Sequence, residues 1–440
     1  MAARRVAVVG AGLAGLAAAL DLRDVGCEVT LYERSRLLGG RATSFVAGGH
    51  EVDNGQHVFL GCCTEFIDFV ERAGMSKHLH LQERFEAVVI SRTGGVSRLR
   101  AGRLPAPLHL IASFAGYRHL GWTSKVRVAR ALAGAASAQS STSTFGDWLA
   151  QRGQDEQALR AFWRPFFVPA LNAPLDRMSA ADAGFVMSTA FLADAGAARF
   201  GYSTVPLAHI AGAAARLLHA VFFESPVTGL IMQDDRTTGL MLADGGQPAF
   251  DAVVLALPPP QLATVLGDTA CAGLPALDEY DALPIVDVHL WHDRGSLGFD
   301  FAALLDSPIQ WIFEKAPGYL CASMSAADEY VGKPSRELID LCWEEARSLL
   351  PGLAGATLED GAATRSPAAT FMARPGANRP GAETKLRNVA IAGSWTNTGW
   401  PDTMESAVIS GRSAAAVIAR ALDFDRGLPA SAVHGEISVA

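Results

Sequence analysis

The sequence is short of charge and of cysteine, and it has no long uninterrupted apolar run. Only 19% of its 440 residues are charged, against 50% apolar. That excludes a disordered, collagenous or coiled-coil chain and leaves ample material for a core. The net charge is −8, from 37 basic and 45 acidic residues, which argues against nucleic acid as a main partner. The six cysteines, at 27, 62, 63, 271, 321 and 342, form no C-x-x-C pair and no zinc spacing. No metal is therefore expected, and the thiols read as reduced core side chains of a cytoplasmic protein. No window reaches the roughly 18 consecutive apolar residues that suggest a membrane-crossing helix, and no internal repeat is visible.

Met1 to Leu20 begins with Arg4-Arg5 and then runs apolar, as a secretory leader does. Gly10, Gly12 and Gly15 interrupt that run, and a helix and a second strand come after it, so the segment reads as fold rather than leader. Arg4 to Val9 (RRVAVV) has the β-branched character of a buried parallel strand. G-A-G-L-A-G occupies 10–15, a helix is expected from Leu13 to Val25, and Glu28 to Tyr32 (EVTLY) reads as a strand ending at Glu33. Gly10 permits the tight turn, Gly12 lets backbone approach a pyrophosphate, and Gly15 lets helix pack on strand. The N–H groups at the helix start, Leu13 and Ala14, face the phosphates with the positive end of the dipole. Glu33, with Arg34 beside it, stands where an acid holds a ribose hydroxyl pair, and an acid there favours an unphosphorylated ribose over NADP.

The residues after Glu33 suit FAD better than NAD. Gly39-Gly40 brings a second stretch of backbone towards the diphosphate, and Arg41 is placed to neutralise it. A dehydrogenase would usually continue its sheet here, whereas this chain reads E-V-D-N-G-Q-H-V-F at 51–59. A strand series runs from Pro226 through Asp251 to Leu257, with Val227 at its head assigned to the cofactor. Near the end, Asn388 to Ala392 reads as a buried strand and feeds G-S-W-T-N-T-G-W-P-D-T-M-E-S-A-V-I-S-G at 393–411. Gly393, Ser394, Thr403 and Met404 then sit at a second helix N-terminus that favours anions. The fold expected is α/β: a discontinuous Rossmann-like FAD domain (1–60, 205–283 and 386–424) and an α+β substrate domain (61–204 and 284–385). The tail from 425 to 440 is expected to fray.

These motifs together resemble the flavin amine oxidase and phytoene desaturase superfamily. Asp53-Asn-Gly-Gln-His-Val-Phe-Leu-Gly61 resembles the segment that passes the flavin, which places Gly55, Gln56 and His57 beside the cofactor. Pro169–Pro174, Val286–Trp291, Ile309–Phe313 and Thr398–Pro401 look most like the bacterial hydroxysqualene dehydroxylase family. The superfamily's Gly–Asp pair after the last strand is Gly393-Ser394 here, so a hydroxyl stands where the family has a carboxylate for the ribityl chain. The family's glycine after the helix glutamate is Ser406.

The resemblance implies a C30 allylic alcohol as substrate, hydroxysqualene. Acid-assisted loss of its hydroxyl gives an allylic cation, and hydride from N5 of reduced flavin gives squalene, water and oxidised FAD. An electron donor of unknown identity must reduce the flavin. His57 is either the proton donor or a neutral histidine that orients its surroundings. Asp53 is either a general acid or a local structural acid, and Asn172 a turn former or a polar group of the pocket. Glu405 either touches the cofactor or simply complements the helix dipole. Trp395 and Trp400 wall the cavity or pack the core, and Phe162–Phe167 is core or tunnel lining.

From Ala87 to Gly146 there is no acidic residue, while Arg92, Arg98, Arg100, Arg103, Arg118, Lys125, Arg127 and Arg130 are basic. With the apolar Leu104–Leu120 and Trp122, this segment reads as helices near 104–135 lying on an anionic membrane. The alternative is a cap domain with solvated charges. The expected location is the cytoplasm, peripheral on the inner face of the cell membrane. Three rivals share parts of this reading: a carotenoid-type desaturase running in the oxidative direction, an amine or porphyrinogen oxidase, and a non-catalytic flavoprotein partner of a prenyl synthase.

Overall fold

The computed structural model describes residues 3–271, 274, 277 and 280–424, side chains at 268–271 excepted. The Cys271 side chain and the tail from 425 lie outside the described residues. Five short strands form a parallel sheet in the order Ala220–Phe222, Glu28–Tyr32, Arg5–Val9, Ala252–Leu255, Val389–Ile391. The central strands are almost wholly buried, which explains their unbroken β-branched runs. One sheet is thus assembled from the start, middle and end of the chain. The Val227–Gln233 and Arg236–Leu242 strands form a separate antiparallel hairpin.

Leu13–Asp24 leaves the first strand as a helix whose cap is Gly12, with no side-chain cap bond and no acid in its first turn. Its positive end stays available to an anion. The closing helix, Met404–Ala421, packs against it. At Gly411 a Cβ would stand 2.1 Å from the carbonyl oxygen of Ala14, so only glycine allows this approach. Parallel strands ending in glycine turns place a ligand site at the carboxyl edge of the sheet.

The second half of the molecule is built on a seven-stranded sheet. Its order is Leu358–Ala373, Tyr280–His292, Tyr319–Ser325, Trp311–Ala316, Phe301–Leu304, Glu86–Ser91, Gly95–Arg100. All neighbours are antiparallel except Phe301–Leu304 with Glu86–Ser91. Alternation separates its faces. Val286, Val288 and Leu290 pack with Leu338, Cys342 and Ala346 of the Ser335–Leu349 helix. Ile285, Asp287 and His289 point to the other side, the side of the cavity. Between 108 and 168 the chain forms a set of short helices around buried Tyr117, Trp148 and Trp163. Among the described residues no helix is long and apolar enough to cross a membrane.

Candidate active site

A cavity of about 820 Å³ lies between the two halves, at the large end of the roughly 300–1,000 Å³ typical of ligand sites. Of the residues singled out from sequence for cofactor or catalysis, all but Gly15 and Asp53 border it. One end is polar backbone and glycine. The other is a wall of Phe85, Phe166, Phe191, Phe200, Trp311 and Phe313.

At the polar end the glycines are where close approach demands them. Gly10 has φ +102°, and a Cβ there would lie 2.4 Å from the carbonyl oxygen of Ala256. Gly39 donates its N–H to the Ala11 carbonyl at 2.8 Å, and a Cβ on Gly40 would be 3.0 Å from the Cα of Gly12. The two glycine turns therefore touch, leaving a floor of bare backbone. Gly15 does not face the cavity. A Cβ there would meet the Gly10 carbonyl oxygen at 1.9 Å, so it serves packing of helix on strand. The Glu33 carboxylate is held by the N–H groups of Ala11 (2.8 Å) and Ser35 (2.9 Å). A carboxylate accepts about four hydrogen bonds, so capacity remains for a ribose diol. An uncapped helix start, a glycine floor and a fixed acid fit the diphosphate and ribose of FAD.

Arg41 departs from expectation. Its guanidinium is committed within the protein: to both oxygens of Asp402 (2.8 and 3.0 Å), to Ser394 Oγ and to the Ala369 carbonyl. Burial alone would raise the Asp402 carboxyl. Arg41, the Phe371 N–H and Ser394 more than offset it and hold it below the usual carboxylate range. A charge that sequence reasoning aimed at the diphosphate is thus neutralised by an acid it had overlooked. Asp402 also borders the cavity. Its carboxylate lies one hydrogen bond from the serine that replaces the family's aspartate. The only local hint was its position inside the closing Trp400–Thr403 motif.

The closing loop is clasped by Arg379, another residue that sequence reasoning missed. Its guanidinium donates to the carbonyls of Trp395 (3.0 Å), Trp400 (2.6 Å) and Ser394 (2.7 Å). Thr403 caps the closing helix, its hydroxyl accepting the Ser406 N–H at 3.2 Å. Ser406 is buried and donates to the Ser394 carbonyl at 2.8 Å, so the serine stitches helix to loop. Glu405 accepts the N–H groups of Glu65 (3.0 Å) and Phe66 (2.7 Å), capping the Thr64–Arg72 helix. Burial pushes its carboxyl up to about 7, partly opposed by those N–H groups. Trp395 is buried, with its indole N–H on the Leu257 carbonyl at 3.0 Å, and it also borders the cavity. Trp400 stacks edge-on against Phe185 at 4.9 Å, and both border the cavity.

The three residues proposed for catalysis sort by geometry. Asp53 does not reach the cavity. It accepts from Ser44 Oγ (2.7 Å) and the Leu207 N–H (2.9 Å) and lies 3.5 Å from Lys315 Nζ, so it is a structural acid joining segments far apart in sequence. Asn172 borders the cavity but closes a helix in the left-handed conformation, φ 48°. Its amide bonds the Leu283 carbonyl, Thr370 Oγ1 and the Ala326 N–H. That use of its polar atoms makes it a turn former. His57 faces the cavity with Nδ1 3.0 Å from the Gly55 carbonyl oxygen. Burial lowers its pKa, partly opposed by Asp53 and that carbonyl, which favours the neutral imidazole. Phe162–Phe167 divides: Phe166 walls the cavity, while Phe162, Trp163 and Phe167 are core.

Residues 13–419 match the family model of flavin-containing amine oxidoreductases. The chain is 30% identical to a hydroxysqualene dehydroxylase of Rhodopseudomonas palustris, over 94% of this chain and 98% of that one. It is 26% identical to a zeta-carotene desaturase of Synechocystis, over 94% and 97%. Among solved structures a putrescine oxidase bound to putrescine superposes with a TM-score of 0.73 over 95% and 99% of the two chains, at 19% identity, which speaks to the fold. Matched nearly end to end, and carrying the nucleotide cradle just described, the chain belongs to the flavin-containing amine oxidoreductase family and is an FAD-dependent oxidoreductase.

Proposed function

We propose that this protein reduces hydroxysqualene to squalene. The observation that carries the reading is the continuity of one cavity, from a glycine-floored nucleotide cradle to a wall of six aromatic side chains. A long hydrocarbon with one polar group matches such a wall, because burial of apolar area provides its affinity. Similarity to a hydroxysqualene dehydroxylase supports the same substrate class. When bound and reduced, FAD supplies the hydrogen and electron pair that replace the hydroxyl, with water as the other product. The chain's own residues perform the rest. Glu33 and the glycine turns bind the nucleotide, Trp400 and the phenylalanines exclude water, and Arg379 fixes the loop between them.

The test is anaerobic mixing of chemically reduced, FAD-loaded protein with hydroxysqualene, and mass spectrometry of the products. Squalene together with reoxidised flavin is the expected outcome. Reducible FAD without squalene overturns the proposal, and desaturation of a polyene such as zeta-carotene would then favour the oxidative reading that the 26% relative suggests.

The substrate would arrive from a bilayer. Leu104, Leu108, Ile111, Trp122 and Val126 are all exposed, Trp122 at 69% and Ile111 at 55%. Exposed Arg103, Arg118 and Arg130 lie in the same segment. Apolar side chains beside cations suit peripheral contact with an anionic membrane. Ring contacts lead inward from this patch, Phe114 to Phe162 at 5.7 Å and Phe162 to Phe166 at 5.4 Å, ending at the cavity wall. Lys125 is not part of the charged face. It is buried, with its ammonium on the Ala115 carbonyl at 2.6 Å and over the Trp122 ring at 4.8 Å.

A further inference from the structure

We infer that Asp287, acting through the Ser323 hydroxyl, is the proton source for loss of the substrate hydroxyl. This rests on the dehydroxylase reading above and supplies the acid that reading lacks, since burial disfavours a charged His57 and Asp53 and Asn172 are bonded within the structure.

The geometry comes from strand register. Asp287 and Ser323 are direct cross-strand partners in the substrate sheet, and Thr364 flanks Asp287 on its other side. Their side chains share the cavity-facing side of the sheet, and the neighbouring cross-strand set on that side, Ile285 with Ser325 and Ser366, also borders the cavity. Ser323 borders the cavity and stands directly across the strand pair from Asp287, close enough for its hydroxyl to act on the Asp287 carboxyl. Asp287 itself is 1% exposed, so it sits one hydroxyl behind the wall, shielded from bulk water. The bend that carries His57 rests on it. The Gln56 N–H donates to Oδ1 at 3.2 Å, and Oδ2 lies 3.0 Å from where a Gly55 Cβ would be. Any side chain at 55 would displace the carboxyl.

The surrounding charges leave the carboxyl able to hold a proton. Cys321 Sγ is 3.9 Å from Oδ1. Lys315, whose charge reaches Asp287, is engaged by Gln56 Oε1 at 2.9 Å and Asp53 Oδ2 at 3.5 Å. His57, His289 and Tyr319 complete the polar groups on this face, with Tyr319 Oη 2.8 Å from His289 Nδ1. Burial, opposed by Ser323, the Gln56 N–H and Lys315 and reinforced by Asp53, pushes the Asp287 carboxyl up to about 6. The buried Thr364 Oγ1 and His289 Nε2 beyond it have no protein partner, a setting that internal water satisfies.

Atoms and electrons balance in one concerted step. The Ser323 proton passes to the substrate oxygen while the Asp287 proton passes to Ser323. The carbon–oxygen bond breaks, and water leaves with the bonding pair. The electron pair and hydrogen that refill the carbon are those supplied by the reduced cofactor. Asp287 regains its proton from solvent between turnovers.

The test uses reduced, FAD-loaded protein mixed anaerobically with hydroxysqualene at pH values on both sides of 6, reading flavin reoxidation and squalene together. The wild-type rate is expected to fall about tenfold per pH unit above that value, since only protonated Asp287 serves. Asp287→Asn and Ser323→Ala are each expected to lose about 100-fold or more and to flatten the profile, with FAD affinity unchanged. Infrared difference spectra without substrate provide a second reading. A protonated-carboxyl band that titrates near 6 and is missing in Asp287→Asn is expected. Squalene formed by the wild type, with rate and pH profile retained in both variants, overturns the inference alone. No squalene from the wild type overturns the dehydroxylase reading and this inference with it. Should Asp287→Asn fail to fold, Ser323→Ala decides.

Discussion

At Gly10 the chain turns with φ +102° against the Ala256 carbonyl, and no side chain fits. Gly10→Ala is expected to cost more than about 2 kcal/mol, from left-handed strain plus the clash, and to yield protein without bound flavin. Thermal melting and the visible spectrum after purification check both. Asp402 is one of the residues that sequence reasoning overlooked. Asp402→Asn leaves the Arg41 guanidinium without its anion beside the cavity, and we expect FAD affinity to drop by about tenfold or more, on the scale of a lost charge-assisted hydrogen bond. Fluorescence titration of the apoprotein with FAD measures it. The double variant Ser394→Asp, Asp402→Ala, which returns the carboxylate to its family position, is expected to restore most of the loss. Why one residue was legible and the other not is physical. Gly10 declares itself through neighbours in sequence, because a turn between strand and helix is a local object. Asp402 acquires its meaning from Arg41, 361 residues away, and Asp287 from the Gln56 N–H, 231 residues away. No spacing rule reports such pairs.

The closing helix does two jobs at its first turn. Its N-terminus faces the cavity, and its Glu405 reaches sideways to cap the Thr64–Arg72 helix. Glu405→Ala is expected to cost about 1–3 kcal/mol by orphaning one buried and one partly buried N–H group, with faster hydrogen exchange confined to the 64–72 helix and its contacts. The direction of the shift sets the sign of the pH effect. The folded state raises Glu405 from 4.5 to about 7, so the protein binds this proton more tightly folded than unfolded. The stability it contributes is full below 4.5 and is lost as pH rises through about 7. Glu405→Gln, which cannot titrate, is expected to flatten the fall in melting temperature across that window. The closing strand and helix were readable as elements from β-branched and alanine-rich runs flanking Gly393. The cap on a distant helix was not, since an acid in a first turn is ordinarily explained by its own dipole.

At the scale of the whole molecule the parallel nucleotide sheet and the presence of a second domain were legible, because buried strands and glycine turns mark themselves. The seven-stranded sheet was not, because the stretches between 100 and 280 and between 325 and 358, which carry helices, split its strands into three groups along the chain and its polar face is buried, so no clean alternation survives. The surface patch at 104–126 yields a separate prediction. Ile111→Asp with Trp122→Asp is expected to weaken binding to anionic phospholipid vesicles by at least about tenfold, since each buried apolar side chain contributes about 1.5–3 kcal/mol. Flavin content should stay unchanged. Added salt should weaken the wild type as well, by screening the arginines. Sedimentation with vesicles measures both losses of binding, and the absorbance of the protein gives its flavin content.

The last strand to enter the cofactor sheet is Val389–Ile391, and the helix after it ends at Ala421. During synthesis the glycine turn at 10–15 emerges well before Val389–Ile391 and the closing helix, without which its cradle cannot close. Flavin capture is therefore expected only after the closing helix has been made, and a chain stopped before it is expected to be left with an exposed half-sheet and no colour. Yellow and colourless fractions from one expression culture are expected to separate molecules that contain the closing helix from those cut short before about residue 420.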